Sequence, residues 1–410
     1  MVTRRQVLAG AGGAGGAAAV GWLTLGGDDS TEYRAVEHEP IGRRPAVWPS
    51  FNNTRRNRGY APGLAGPQGR PTTAWERPIE GCEASPAVVG GTILFPDRHR
   101  LRAFDRSDGT ERWQTDVVVT APPTVCFDSD EGPVIVVGAH HTPKVRAYTA
   151  AGAAAWQFEP PAGGDVVGAP VYSPGRGRLY VGTTTGRVLA IDPTSGQVDW
   201  QHEVFGDVRA GLSLGVEDGF ERLLVPTLID PSAGLVFTLD ASDGERKGVV
   251  TIGDTTHCAP AVVGELSFIL DVSGTLYAVE YPRSGIRWQS TLTDDDGWRY
   301  RGLASDGTTL YVTAEDGVVQ AIDARSGDER WTYGLDGRAS NEPNVVTDDT
   351  LYVPMEDGIV ALATGDTGLL AGRKRWTWRS DRAPLSPAPR VLGAAGHLYF
   401  VEPDHLVALG

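Results

Sequence analysis

Arg209, His257, Arg301 and Asn341 stand at matching places in four successive stretches of the chain, and the same places elsewhere hold unlike residues. The segments around them read "VRAGLS" (208–213), "THCAP" (256–260), "RYRGLA" (299–304) and "RASNEP" (338–343). Glu83, Arg299, Arg338 and Glu342 belong to the same kind of segment. A guanidinium group grips a carboxylate through two parallel hydrogen bonds. Several arginines with an Asn-Glu pair would therefore hold an anionic ligand, provided the fold brings these segments to one rim. The alternative is a polar, water-filled funnel whose rim residues vary because loops tolerate change. Asp294-Asp295-Asp296 could bind a cation, but such a run reads more simply as a solvated loop. Cys82, Cys126 and Cys258 show no spacing pattern, so they are neither a disulfide framework nor a zinc site.

What must position these residues is a repeat. "EDGVVQAIDARSGDERW" ends at Trp331, "TTGRVLAIDPTSGQVDW" at Trp200, "RHRLRAFDRSDGTERW" at Trp113 and "VSGTLYAVEYPRSGIRW" at Trp288. Weaker copies end at Trp156, Gly248 and Trp376, and a last copy, "PDHLVALG", ends the sequence. The spacings are 43 (113 to 156), 44 (156 to 200), 88 (200 to 288), 43 (288 to 331) and 45 (331 to 376). The double spacing contains one missing Trp, at Gly248. A period in the low forties built of short strands means a propeller or a solenoid. Strands such as "TLYVTA" (309–314) and "RLYVGT" (178–183) precede each phrase, and "SPAVVG" (85–90) or "APAVVG" (259–264) precede those. With the Trp-bearing segment this makes four strands per repeat, which is a propeller blade. Asp316-Gly317 and Asp357-Gly358 are expected in tight primed turns. The fold class is therefore all-β: an eight-bladed β-propeller of four-stranded antiparallel blades. Thr72–Ile79, with Trp75, is expected to close the ring as the outer strand of the eighth blade, which removes an open sheet edge.

The phrase "LYV…DG.V.AID..SG...W" resembles the pyrroloquinoline quinone (PQQ) repeat over residues 72–410. That repeat builds the propellers of quinoprotein dehydrogenases and of BamB-type lipoproteins. "WPSFNNTRRNRGY" (48–60) also resembles the segment that precedes such propellers. The resemblance implies that Trp113, Trp156, Trp200, Trp288, Trp331 and Trp376 dock each blade on its neighbour. A residue repeated in every blade cannot mark a single site, so a structural role fits it better than a catalytic one. Asp105, Asp192, Asp240 and Asp323 read as turn caps. For an enzyme, the resemblance implies PQQ over the channel mouth with calcium held by Glu, Asn and Asp, an Asp base, and in many members a ring of two adjacent cysteines. This chain has no Cys-Cys pair and lacks long insertions between blades.

Residues 1–27 are a different kind of sequence. Arg4-Arg5 precede a Gly/Ala-rich apolar stretch, with no acidic residue before Asp28. This resembles a twin-arginine (Tat) export signal, kept as an anchor or removed. Residues 28–71 read as a tether and pre-propeller segment, and 72–410 as the ring. Acidic residues outnumber basic ones, 52 to 37, for a net charge of −15, and Lys occurs only at 144, 247 and 374. An acidic, lysine-poor surface suits high salt. It also argues against nucleic acid, since no basic stripe interleaved with aromatics is present. Two functions are compatible with these features. The first is an exported, noncatalytic scaffold, extracellular or anchored at the cell surface, that binds a protein or small-molecule ligand. The second is a PQQ-dependent dehydrogenase of reduced form. Arg209, His257, Arg301 and Asn341 are the residues expected to hold a ligand in either case.

Overall fold

Short β-branched runs broken by Gly, Asp and Pro do not sustain helices; they pair with adjacent runs through tight turns. In the computed structural model they do so eight times. The structure describes residues 46–48, 50, 52–62, 66–67, 69–82, 84–127, 132–140, 144–230, 233–281, 285–292, 302–340, 342–365, 372–382, 390–394 and 396–410. Met1–Val36 is a separate unit outside these residues, and Arg4-Arg5 fall in it. The ring belongs to the second unit, Glu37–Gly410.

Each sheet is antiparallel. Blade 1 is Ala87–Val89, Thr92–Asp97, Arg100–Asp105 and Glu111–Asp116, with Ala46–Trp48 added beside its first strand. The first strands of the other blades are Val119–Cys126, Val171–Ser173, Ser213–Glu217, Ala261–Val263, Gly302–Ser305, Val345–Val346 and Arg390–Ala394. First strands of successive blades touch one another, and that of blade 8 touches that of blade 1. They therefore line the axis of a closed ring. In blade 8 the outer strand is Thr73–Pro78, paired with His405–Leu409 so that Trp75 lies opposite Ala408. Neither Asp316-Gly317 nor Asp357-Gly358 makes the expected primed turn. Only Gly317 takes a positive φ (94°), and its N–H closes on the Ala314 carbonyl at 3.0 Å. The two-residue primed geometry occurs instead at Asp218 (φ 48°) and Gly219 (φ 82°), between the paired Glu217 and Phe220.

The Gly and the Trp of each repeat phrase serve two different interfaces. The indole of one blade lies over the turn glycine of the next: Trp75 over Gly109, Trp113 over Gly152, Trp156 over Gly196, Trp200 over Gly244 and Trp288 over Gly327. The indole N–H then donates to a backbone carbonyl of that turn, for example Trp113 to Ala150 (3.0 Å) and Trp156 to Pro193 (2.8 Å). Trp376 donates instead to Pro67 at 3.0 Å, and Arg373 lies 3.9 Å from the centre of the Trp331 ring. Beneath the indole sits an aromatic of the second strand of its own sheet. Tyr180 with Trp200, Phe268 with Trp288 and Tyr352 with Trp376 all have centroids 5.8 Å apart. Trp75 and Trp376 are buried, whereas the other five keep an edge in solvent.

The Asp residues at the strand ends cap the same turns. Asp105 accepts from Ser107 N (2.8 Å) and Oγ (2.6 Å), and Asp323 from Arg325 N (2.9 Å) and Ser326 N (3.0 Å). The hydrogen bond from Ser107 and the Arg112 guanidinium hold the Asp105 carboxyl well below the ordinary carboxylate range. Burial pushes Asp192, Asp240 and Asp323 up, but turn hydrogen bonds, joined by Arg330 at Asp323 and Arg222 at Asp240, outweigh it and the net direction is down. A carboxyl whose folded pKa is depressed stabilises the fold above its unfolded pKa, near 4, and the stabilisation is lost as pH falls through the folded value. Denaturation midpoints are therefore expected to stay flat above about pH 5 and to fall steeply below about pH 4. Asp192→Asn should flatten that slope. A midpoint that rises on acidification would contradict the assignment.

Candidate functional site

The chain runs along the inner edges of the first strands. Ala46–Trp48 runs beside Ala87–Val89 of blade 1, with Trp48 opposite Val88. By Arg55 the chain is at blade 4, where its carbonyl accepts from Leu214 N at 2.8 Å. The next carbonyls serve successive blades: Arg56 accepts from Val262 N (2.9 Å), Arg58 from Ser305 N (2.7 Å) and Gly59 from Val346 N (2.9 Å). Strand register makes Leu214, Val262, Ser305 and Val346 the same position in blades 4 to 7. Residues 52–61 thus form a strap along the inner edges. Glu221 pins it: Arg55 Nη1 donates to Oε1 at 2.6 Å, Ser173 Oγ donates to Oε2 at 2.6 Å, and Arg176 Nε lies 3.0 Å from Oε2. Sequence reasoning read this stretch as a tether. Its Asn, Arg and Gly content suits one, and bonds made by backbone carbonyls leave no mark in residue type.

A mouth of the channel is lined by the segments that enter the first strands. Arg209 and His257 are there, in neighbouring blades. A Cβ placed on Gly211 would lie 3.1 Å from the Ala259 Cβ, so the two entering segments touch just beyond them. Arg301 and Asn341 lie outside the described residues, as do Glu83, Arg299 and Asp294–Asp296. The described rim arginines hold protein carboxylates. Arg209 pairs with Asp207 at 3.0 Å, within its own loop. Arg338 pairs with Glu315 of blade 6 and with Glu356 of blade 7, the latter at 3.1 Å. Arg382 pairs with Glu402 at 2.5 Å and Glu76 at 2.9 Å. Apolar surface accompanies the charge. Asp207 bridges Leu228 of the long second strand of blade 4, Phe220–Asp230, and Phe205 and Ile229 flank that bridge at 67% and 38% exposure. Neither was singled out from sequence. The signal available was the length of "FERLLVPTLID" (220–230) against the five or six residues of "RLYVG" (178–182) and "TLYVPM" (350–355).

The family model described as outer membrane protein assembly factor BamB matches residues 68–279 and 272–409. The chain belongs to this family. Among BamB-family relatives, the outer membrane protein assembly factor BamB of Yersinia pestis is 25% identical over 338 residues, 78% of this chain and 74% of that one. Two solved structures share the fold. BamB from Moraxella catarrhalis has a TM-score of 0.59 at 17% identity, covering 83% of this chain and 99% of that one. Quinohemoprotein alcohol dehydrogenase from Comamonas testosteroni has a TM-score of 0.68 at 13% identity, covering 93% and 82%.

The PQQ-like repeat implies, for an enzyme, PQQ with calcium at the channel mouth. Calcium needs several oxygen ligands converging on one point. Among the described residues, the group of metal-ligating side chains close enough to share an ion is Glu402, Asp404 and His405. It sits where the second strand of blade 8, His397–Val401, turns into the third, His405–Leu409. Glu402 there is already held by Ser380 and Arg382. The described rim of this BamB-family chain does not fit the quinone–calcium pair, and no catalytic step is derived through it.

Proposed function

We propose that this chain is an exported, noncatalytic propeller that binds a protein partner through the strand-start rim of its ring. The rim at blades 3 and 4 supports this reading. Phe205 and Ile229 offer apolar contact beside Arg209 and Asp207, and an apolar centre with a polar border is how protein interfaces are built. The paired state of Arg209, Arg338 and Arg382 speaks for a protein partner over a small anion, since an anion would have to displace a carboxylate from each. The relatives' name refers to outer-membrane assembly. The property carried over here is narrower: a ring that presents one face to another protein. Arg209, His257, Arg301 and Asn341 remain the proposed contact residues. The export reading rests on Arg4-Arg5 and the apolar run after them, and the acidic, lysine-poor composition suits a salty exterior.

Two measurements test this. Calorimetric titration of the purified chain with PQQ and calcium is expected to give no saturable heat; a one-to-one isotherm would restore the dehydrogenase reading. Arg4→Lys with Arg5→Lys is expected to leave the protein in the cytoplasmic fraction, and unchanged export would remove the twin-arginine reading.

A further inference from the structure

The seam between blades 4 and 5 has no indole. Blade 4 carries Gly248 opposite Thr238, where blade 3 has Trp200 opposite Ala190 and blade 5 has Trp288 opposite Ala278. The aromatic that underlies the indole elsewhere is Leu224 here, paired with Ser213 as Tyr180 is with Val171. At the seams on either side an indole does pack against a turn glycine, so that a Cβ on Gly244 or Gly327 would strike it within 2.8 Å. Tyr281 takes up part of the space, 2% exposed and clustered with Leu224 and Val262. On their outer side, then, blades 4 and 5 meet without the Trp dock.

On the inner side the same seam has extra bonds. Consecutive strap carbonyls, Arg55 and Arg56, take N–H groups from Leu214 in blade 4 and Val262 in blade 5. Asn57 Nδ2 donates to the Leu212 carbonyl (2.7 Å) and to Ser213 Oγ (2.8 Å), and Ser213 Oγ donates onward to the Pro260 carbonyl of blade 5. Asn57 and Ser213 are 4% and 0% exposed. Asn52, Asn53 and Asn57 all have positive φ (52°, 74° and 50°), a left-handed turn geometry that asparagine adopts more readily than other non-glycine residues.

We propose that residues 52–61 are a latch for the seam between blades 4 and 5, replacing its missing Trp dock, and that the ring opens first at this seam when the strap lets go. The N-terminal segment and the weakest blade interface are thereby coupled. Asn57→Gly tests this, because glycine keeps the left-handed backbone and removes only the carboxamide. Amide hydrogen exchange is followed by mass spectrometry in the full chain. Loss of a buried hydrogen bond predicts about tenfold faster exchange in Ser213–Glu217 and Ala261–Val263. Exchange in Val171–Ser173, to which no strap carbonyl bonds, should be unchanged. No acceleration, or equal acceleration in all three strands, overturns the proposal. If Asn57→Gly does not fold, Ser213→Ala removes the same bridge and is judged by the same pattern.

Discussion

Trp75→Ala is expected to lower stability by about 3–5 kcal/mol, the usual range for emptying a buried tryptophan site. Trp75 has the features that make this loss large. It is 8% exposed, lies 5.9 Å from Tyr399, and donates from Nε1 to the Arg106 carbonyl at 3.1 Å. It also stands at the closure of the ring, on the strand that joins chain start to chain end. Truncation leaves a cavity at the junction of blades 8 and 1 and leaves the Arg106 carbonyl with only the longer bond from Tyr399 Oη, at 3.4 Å. Trp113, Trp156, Trp200, Trp288 and Trp331 keep an exposed edge and should each cost less. Gly109→Ala supplies the second arm of a cycle. Gly109 has φ of 71°, and an added Cβ would lie 2.7 Å from the Trp75 ring. Part of its cost is strain in the turn, of order 1–2 kcal/mol, and part is collision with the indole. The collision disappears in the double variant, so the two penalties should sum to more than the double variant loses. Additive penalties in chemical denaturation, or a Trp75→Ala midpoint equal to wild type, would show that this contact does not hold the ring shut.

The same residues show where sequence reading stops. Blade number and strand content were legible because eight weak signals share one period, and the Trp was legible as a dock because it repeats. That Gly109 and Trp113 face opposite neighbours was not legible, since four residues of spacing look like one local unit. Gly248 was visible as a missing Trp. Its compensation was not, because Tyr281, Leu224 and Asn57 come from three separate stretches that only closure of the ring brings together. At the rim, the pairing of Arg209 with Asp207 needed only two residues of sequence, but the choice between ligand-binding arginine and paired arginine depends on side-chain direction. Arg338 is harder still. Its partners Glu315 and Glu356 lie in the turns of two different blades, and no single repeat contains the set.

Glu221 carries the second large effect, because one carboxylate neutralises cations from two parts of the chain. Its side chain is 12% exposed, that of Arg55 16% and that of Arg176 30%. Charges this far from water are poorly screened by salt. Removing the anion takes from the half-buried Arg55 and Arg176 guanidinium groups a carboxylate they share, and breaking a fully buried pair from one side costs about 3–5 kcal/mol. Glu221→Ala should approach the lower end of that range, since Arg176 retains access to solvent and the hydroxyl of Ser173, 0% exposed, also loses its acceptor. Glu221→Gln should cost less, because a carboxamide oxygen still accepts from Ser173. Adding Arg55→Met to Glu221→Ala removes a cation that has lost this carboxylate while keeping apolar volume, and replacing a buried pair by apolar groups is often neutral. The double variant should therefore recover most of what Glu221→Ala loses. That recovery separates an electrostatic pin from a packing site: if the glutamate mattered only for its volume, the double variant would be less stable than either single one. Because the pin sits on Arg55, the residue at which the strap reaches blade 4, Glu221→Ala should also speed exchange at Leu214 more than at Val346, where the strap is bonded through Gly59 and Tyr60 instead.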